Sequence, residues 1–158
     1  MDFTHLDEKG RASMVEITDK EETKRLAVAC GKILMKSDTI NKIKTVKIEK
    51  GDVLSVAQIA GIMGAKKTSD IVPMCHPLML TGINLELTIE DYGIYIESTV
   101  KTYGKTGVEM EALTAISITA LTIYDMCKSV DKNMKITDIY LKHKNGGKSG
   151  EYNHKLKI

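Results

Sequence analysis

The residues with the clearest potential for chemistry lie at the two ends of one apolar stretch. Glu109 and Glu111 come at its start, and Asp125 and Lys128 come near its end. Carboxylates and amines take up and release protons, so both pairs are candidates for general acid/base chemistry. An Asp and a Lys three residues apart on a helix also form ordinary ion pairs, and the spacing alone favours that interpretation for Asp125 and Lys128.

The geometry of a helix limits what these two pairs can do together. No Pro or Gly interrupts residues 109–130, and apolar residues recur all round the helical wheel, so we predict a long helix buried on every side. Glu111 and Asp125 then lie on a similar side of the helix but about 21 Å apart along its axis. Either only one end of the helix takes part in chemistry, or a second copy of the chain brings the opposite end of its own helix close.

A second candidate is the loop Met74-Cys75-His76, which lies between Pro73 and Pro77. The two prolines exclude a helix and predict a rigid, extended loop. A catalytic Cys–His pair is disfavoured, because adjacent side chains seldom point the same way. A metal site is disfavoured too, because no second ligand lies at metal spacing. His76 could hold an anionic substrate, or it could be a structural histidine.

Two lysines have spacings that suggest phosphate binding. The segment 146–149, Gly-Gly-Lys-Ser, has the ending of a P-loop, but position 142 is Lys where the P-loop needs Gly, and no helix follows. We therefore reject a P-loop, although a flexible loop could still bring Lys148 to a phosphate; a simple strand-ending turn is the commoner case. Lys50 precedes a helix start at Asp52 and could sit beside a phosphate there, but most such lysines are merely solvated.

The elements that must position these residues follow from hydrophobic periodicity. Period-two alternation predicts strands at 23–35, 83–89, 94–103 and 136–143, although a helix competes at 23–35 because Ala is frequent there. Start and stop signals predict helices at 37–45, 53–68 and 109–130. This β-α-β-β-α-β order predicts a ferredoxin-like α+β sandwich, with an antiparallel sheet covered by helices on one face. The uncovered face and the small residues of the second helix favour an oligomer.

Composition narrows the class of protein. The 158 residues fit one domain, 1–158, in which we expect 1–13 and 151–158 to be flexible. A net charge of +2, no Trp and one Phe argue against nucleic-acid binding. Three cysteines without a CxxC pair favour the reducing cytoplasm over a disulfide framework or zinc ribbon. We see neither a signal peptide nor an apolar run of about 18 residues that could span a membrane.

These residues alone leave two classes of function open. A cluster of Lys, His and carboxylates at loop–helix junctions fits acid/base chemistry on a phosphate-bearing small molecule. It fits equally a non-catalytic oligomeric module that binds a nucleotide. A stand-alone GTP hydrolase is disfavoured by the failed P-loop.

Six segments, taken together, resemble one known family, the molybdenum cofactor biosynthesis protein C family of cyclic pyranopterin monophosphate synthases. The segments are 50–54, 59–63, 73–78, 104–114, 121–128 and 146–150. They occur in the family's order, and the resemblance covers about residues 14–150. One departure is Gln58, where the family often has Arg; it affects no catalytic assignment.

The resemblance implies a fold, an assembly and a reaction. The family has a ferredoxin-like fold and forms a homohexamer, a trimer of dimers, with active sites at a subunit interface. A radical-SAM partner enzyme supplies 3′,8-cyclo-7,8-dihydro-GTP, a cyclised dihydro-GTP. The family rearranges this intermediate to cyclic pyranopterin monophosphate and releases pyrophosphate, as one step of molybdopterin synthesis. It requires no redox cofactor and no metal site, although Mg²⁺ could accompany the triphosphate.

The resemblance also implies roles for particular residues. Asp125, Lys128 and Lys50 match catalytic positions. The positions that match substrate-binding segments are Met74, Cys75, His76, Met110, Glu111, Glu109, Thr106, Arg25 and Lys148. We expect Lys128 and Lys50 to exchange protons, with pKa values lowered by crowding among cations, and Asp125 either to orient Lys128 or to take a proton itself. We expect His76, Arg25 and Lys148 to hold the triphosphate.

Overall fold

The computed structural model describes residues 9–155, which form a five-stranded antiparallel sheet with helices packed on one face. The elements are β1 (Thr23–Leu34), α1 (Ser37–Lys44), α2 (Val53–Lys66), α3 (Thr68–Ile71), β2 (Leu80–Glu90), β3 (Gly93–Gly104), α4 (Glu109–Cys127), β4 (Lys135–Asn145) and β5 (Tyr152–Asn153). The predicted α+β, ferredoxin-like fold is confirmed. Residues 1–8 and 156–158, for which flexibility is predicted, lie outside the described residues.

The sheet has the strand order β2-β3-β1-β4-β5, with β1 at its centre. β1 pairs antiparallel with β3, where Ala27 lies opposite Val100, and antiparallel with β4, where Cys30 lies opposite Tyr140. Alternation along β1 turns Ala27 and Ile33 towards the helices, where both are fully buried. Sequence reasoning missed α3 and β5, because four and two residues are too short to establish a period.

Helix α2 crosses α4 at close range through its small residues. A Cβ atom on Gly61 would lie 2.1 Å from Thr119 Oγ1, so only glycine fits at this crossing. Gly64 lies in the same way against Ile118. These small residues of α2 therefore bring two helices of one chain together.

Helix α4 is buried on one side only, so the prediction that it is buried all round is wrong. Ala112, Ile116 and Ile123 are fully buried between α4 and the sheet. Met110 and Leu121 point away from the sheet and are 40% and 55% exposed. The sheet and α2 together cover only part of the helix, and an exposed apolar strip is left.

Helix α4 is the element that bears on the expectation that no segment spans a membrane. By length and composition alone its 19 residues qualify. However, more than half of this apolar helix is buried inside the protein, as is typical of a core helix. Packing against the sheet is a sufficient reason for its composition.

Candidate active site

A compact cluster of charges lies at the C-terminal end of α4. Lys50 Nζ is 2.7 Å from Asp125 Oδ2, and Lys128 Nζ is 2.7 Å from Asp125 Oδ1. Lys50 Nζ also donates a hydrogen bond to the Asp125 main-chain oxygen, at 3.0 Å. The predicted i, i+3 ion pair is thus present, and a third group joins it. We call these three residues the lysine–aspartate cluster.

The loop between α1 and α2 carries Lys50 to this cluster. Ile48 is buried, and the Gly51 N–H closes a tight turn onto the Ile48 carbonyl at 2.9 Å. On the far side of the turn, Asp52 accepts a hydrogen bond from the Ser55 N–H and so caps α2. The backbone at Lys50 is therefore fixed by this turn on one side and by the capped start of α2 on the other.

The start of α1 is held by Asp131, a residue that sequence reasoning missed. This carboxylate is 2% exposed and accepts hydrogen bonds from the Lys36 N–H, the Thr39 hydroxyl and the Asn133 N–H. It lies four residues after α4 ends, so it ties α1 to the same end of α4 that carries the cluster. An acidic residue in a polar turn gives no sequence signal that it will be buried.

The charges of the cluster change the protonation of its members. Lys128 first and Lys50 second lower the pKa of Asp125 to about 2. Asp125 in turn raises the pKa of Lys128 through a direct hydrogen bond. The expectation that crowding among cations lowers the pKa of Lys128 is therefore wrong, because the nearest charge to its amine is a carboxylate.

A wide cleft lies at the opposite, N-terminal end of α4, and it has two halves. The basic half, of about 740 Å³, is lined among others by Lys20, Arg25, Lys105, Thr106, Glu109, Lys144 and Lys148. The less polar half, of about 530 Å³, is lined among others by Val15, Ile17, Met74, Cys75, His76, Leu78, Met110 and Glu111. Both halves share Lys20, Thr106, Gly107 and Glu109, so the two form one continuous N-terminal cleft.

Arg25 and Lys144 hold the walls of the basic half together. Arg25 donates from Nε to the Gly104 carbonyl and from Nη2 to the Lys105 carbonyl, both at 3.2 Å. Gly147, in the glycine-rich loop 146–150, has a φ of +78°, a left-handed conformation that favours glycine, and a Cβ atom there would lie 1.6 Å from Arg25 Nη1. Arg25, which is predicted to hold phosphate, thus uses two of its N–H donors in hydrogen bonds within the protein.

Lys144, which sequence reasoning missed, joins the start of α4 to the glycine-rich loop. Its Nζ lies 2.8 Å from Glu109 Oε1 and donates to Ser149 Oγ, also at 2.8 Å. Both charged side chains are about three-quarters buried. The only sequence signal for Lys144 is its place two residues before Gly146, which does not show where the side chain points.

The less polar half contains a buried carboxyl group. Glu111 is 4% exposed, and burial raises its pKa. Burial also raises the pKa of the neighbouring Cys75 thiol, and the charge of Glu111 adds to that effect. Glu111 is therefore closer than an exposed glutamate to holding a proton that it could donate.

The predicted site residues fall into two groups that one chain does not bring together. Asp125, Lys128 and Lys50 form the lysine–aspartate cluster, and the other nine line the N-terminal cleft. The intervening turns of α4 separate Glu111 from Asp125 by about 21 Å. Among residues 9–155, no group of three or more His, Cys, Asp or Glu could hold a metal ion.

Comparison with known proteins settles the family. The model of the MoaC family matches residues 14–147, most of the chain. The chain belongs to the MoaC family. A relative from Natranaerobius thermophilus, named cyclic pyranopterin monophosphate synthase, is 62% identical over 95% of this chain and 96% of its own length. Relatives of the same name from Thermoanaerobacter sp. and Heliobacterium modesticaldum are 57% and 59% identical over 99% and 95% of this chain.

The match to the MoaC family confirms the resemblance drawn from the six sequence segments. The matched range includes the whole of α4 and the lysine–aspartate cluster, together with the loops that line the N-terminal cleft as far as Gly147. The relatives cover the chain almost from end to end, so the family assignment applies to both groups of site residues.

Proposed function

We propose that this chain is a cyclic pyranopterin monophosphate synthase of molybdenum cofactor biosynthesis. It would convert 3′,8-cyclo-7,8-dihydro-GTP to cyclic pyranopterin monophosphate and pyrophosphate. The observation that carries the proposal is the end-to-end match to relatives of that name, at 57–62% identity over 95–99% of the chain. The acid/base groups and the cationic cleft suit such a reaction, which moves protons at several steps and handles a triphosphate.

We place the triphosphate in the basic half of the N-terminal cleft. Lys148 would contact it directly, and Thr106 would add a hydroxyl. Arg25 retains unused N–H groups for the same anion after its two bonds to the 104–105 backbone. Lys144 keeps Glu109 neutralised, which lowers the repulsion between this carboxylate and phosphate.

The ring system of the substrate would occupy the less polar half. Met74 and Met110 offer adaptable apolar surface there, and His76 and Cys75 offer polar edges. The buried Glu111 would supply a proton to a ring nitrogen or leaving oxygen.

The lysine–aspartate cluster would carry out further proton transfers of the reaction. Asp125 holds Lys128 in its charged form in the free protein, so Lys128 would begin as a proton donor. Lys50 contacts the other oxygen of the same carboxylate and would act as its counterpart in proton exchange. Asp125 would orient both amines.

We propose that one active site combines the N-terminal cleft of one copy with the lysine–aspartate cluster of another, in a homohexamer built as a trimer of dimers. The separation of about 21 Å between Glu111 and Asp125 supports this, since both ends of α4 could then reach one substrate. A cyclic or dihedral assembly repeats such a contact at every equivalent interface.

Several further properties belong to the same proposal. A radical-SAM enzyme would supply the cyclised substrate, and the reaction would take place in the cytoplasm without a redox cofactor. Any Mg²⁺ would arrive with the triphosphate as part of the substrate, because residues 9–155 contain no group of three or more His, Cys, Asp or Glu that could hold a metal ion without it.

A mixing experiment tests both the activity and the shared site. The inactive variants Glu111→Ala and Asp125→Ala are unfolded together, refolded together and given the cyclised substrate, and pyrophosphate and pterin product are measured. A dimer of unlike copies contains one intact site, so statistical mixing should restore about one quarter of the parental activity.

The matched control mixes Lys50→Ala with Asp125→Ala, which both damage the lysine–aspartate cluster. This mixture should stay inactive, because no interface then contains an intact cluster. Activity of Asp125→Ala alone at the parental rate would contradict the catalytic assignment. Substrate binding without product in the parent would favour a non-catalytic nucleotide-binding module.

A further inference from the structure

Residues 36–50, which contain α1 and the loop after it and which we call the α1 segment, are attached to the end of α4 at both ends of the segment. The last residue, Lys50, pairs with Asp125 in the lysine–aspartate cluster. The first residue donates its N–H to Asp131 Oδ2 at 3.0 Å, and the Thr39 hydroxyl donates to the same oxygen at 3.2 Å. The chain that carries Lys50 therefore begins and ends against the same end of α4.

Asp131 is itself fixed relative to the last turn of α4. Its main-chain N–H donates to the Cys127 carbonyl at 3.0 Å, and the Tyr124 hydroxyl donates to the Lys132 carbonyl at 3.2 Å. The Asn133 N–H donates to Asp131 Oδ1 at 3.0 Å, so both oxygens of the carboxylate are held. The start of the α1 segment is thus bound to a group that moves with α4.

The attachment at Asp131 is the stronger of the two. Burial acts to raise the pKa of Asp131, but hydrogen bonds from Lys36 and Asn133 outweigh it and lower that pKa. The carboxylate is therefore charged, and hydrogen bonds to a buried charge are strong and costly to break. Lys50 and Asp125 are each about half exposed, and exposed ion pairs contribute little by themselves. The contact at the start of the α1 segment therefore has more influence on its position than the ion pair at its end.

Helix α1 depends on such contacts for its position. It has only eight residues, fewer than an isolated helix needs to be stable in water, and Lys36 at its N-cap makes no side-chain cap. Its closing turn is made by the Lys47 N–H, which donates to the Lys42 carbonyl at 2.8 Å. That turn holds Val46 at a φ of 51°, a left-handed conformation in which glycine is preferred. Local sequence preference therefore opposes this turn, and contacts with the rest of the chain must hold it.

The buried Cys127 thiol shows that the two attachments lie near one place in the core. The pKa of this thiol is raised to about 11, chiefly by burial, with the charge of Asp131 adding to the rise and the charge of Lys50 opposing it. Cys127 is fully buried at the end of α4. Both ends of the α1 segment are therefore close enough to this thiol for their charges to act on it.

We propose that Asp131 is a positioning residue of the active site, which holds the α1 segment so that Lys50 meets Asp125. Asp131 acts through α1, because its carboxylate accepts hydrogen bonds from the start of that segment and from Asn133. The inference rests on the proposed function of the lysine–aspartate cluster and extends it. Lys128 lies three residues from Asp125 on α4, so its contact with Asp125 does not depend on Asp131.

A zero-length cross-link measures the position of Lys50 without an assay of activity. A carbodiimide couples a carboxylate to an amine in contact with it, and peptide mass spectrometry separates the product of Asp125 with Lys50 from the product with Lys128. The second product is the internal reference. In Asp131→Asn, which leaves one N–H donor facing an amide NH₂, the ratio of the first product to the second should fall about fivefold, the shift that one lost hydrogen bond produces. An unchanged ratio would overturn the proposal.

Two buried threonines give a matched pair of milder variants. Thr39→Val removes one hydrogen bond to Asp131 and leaves its charge, so it should lower the same ratio by a smaller factor. Thr119→Val removes a buried hydroxyl in the middle of α4, which donates to the Ala115 carbonyl at 2.8 Å. Thr119→Val should leave the ratio at the parental value. An equal fall in both variants would mean that the ratio follows general loosening of the fold, and would also overturn the proposal.

Steady-state kinetics then show whether the position of Lys50 matters for turnover. In Asp131→Asn, assayed well below its Tm, we expect kcat to fall roughly tenfold or more, as misplacement of a reacting group does. KM should change little, because the N-terminal cleft lies at the other end of α4. A parental kcat in a variant with a lowered cross-link ratio would overturn the role of Asp131 in the active site. A parent protein that makes no product would instead reject the proposed function, whatever the cross-link shows.

Discussion

The two ends of α4 are built in different ways. At the C-terminal end, three side chains form two short ion pairs on one carboxylate, and all three are about half exposed. At the N-terminal end, residues from several distant segments surround an open cleft, where Glu111 is buried and Glu109 is paired with Lys144. The first arrangement fixes proton-bearing groups, and the second provides space and charge for a ligand.

This difference has a cause in the chain. The lysine–aspartate cluster needs one helical turn and one loop, because Asp125 and Lys128 are neighbours on α4 and only Lys50 comes from elsewhere. The N-terminal cleft needs β1, the loop after α3, the turn before α4 and the loop after β4 to meet. We expect substitutions to affect catalytic rate more at the first end and substrate binding more at the second.

The largest effect is expected from Asp125→Asn. The amide keeps the shape of the side chain but loses the charge that holds both amines, so kcat should fall roughly 100-fold or more. KM should change much less, because the cleft is untouched. Steady-state kinetics on the cyclised substrate, by pyrophosphate release, measure both constants.

Asp70→Asn is the matched control for the loss of an ion pair. Lys67 and Asp70 form another exposed i, i+3 pair, with Nζ 3.2 Å from Oδ2, outside both groups of site residues. Exposed pairs of this kind contribute only about 0–1 kcal/mol to stability. A similar fall in kcat for Asp70→Asn would mean that the effect at Asp125 is not specific to the cluster.

A smaller effect, on binding, is expected from Lys144→Met. This change removes the link between Glu109 and Ser149, so the glycine-rich loop loses a tie and Glu109 regains an uncompensated charge beside the anion site. We expect KM to rise about tenfold, which corresponds to about 1.4 kcal/mol of binding free energy, with a lesser change in kcat.

Lys142→Met distinguishes this role from a general effect on β4. Lys142 is two residues away on the same strand and pairs with Glu97 at 2.7 Å, on the uncovered side of the sheet. The Lys142→Met variant should leave KM near the parental value. If both lysine variants raise KM equally, the cause is a change in β4 as a whole and not the tie at the cleft.

The sequence was sufficient for those parts of the site that depend on local spacing. A long helix (109–130 predicted, Glu109–Cys127 observed), the loop at 73–77 and the ion pair of Asp125 with Lys128 follow from periodicity, proline and i, i+3 geometry. The family followed from six segments in order. The helix, the loop and the ion pair each depend on residues that are close together in the sequence.

The features that sequence reasoning missed depend on side-chain direction across long separations. Lys50 meets Asp125 across 75 positions, and Arg25 reaches the 104–105 backbone across about 80. Periodicity reports which face of an element is apolar, but not which distant loop meets it. The same limit explains the wrong prediction that α4 is buried all round, because apolar residues on every side of a helical wheel do not show how many elements pack against the helix.

The smallest effect should appear in stability, at the buried carboxyl of the N-terminal cleft. Burial raises the pKa of Glu111, so the folded state holds a proton that the unfolded state releases above its own pKa. The penalty on folding is therefore absent in acid and grows as the pH rises above the ordinary glutamate value of about 4.3.

Glu111→Gln removes this penalty and should raise Tm near pH 7 by a few degrees, with a smaller rise near pH 4. Thermal unfolding at both pH values measures the difference, and activity is not needed for the test. Asp125→Asn provides the comparison at the other end of α4. Lys128 and Lys50 lower the pKa of Asp125 to about 2, so the folded state favours the charged form of this carboxyl at both pH values. If Glu111→Gln lowers Tm, and does so more near pH 7 than near pH 4, a partner stabilises the charged Glu111 carboxylate. The carboxylates at both ends of α4 are then stabilised in their charged form.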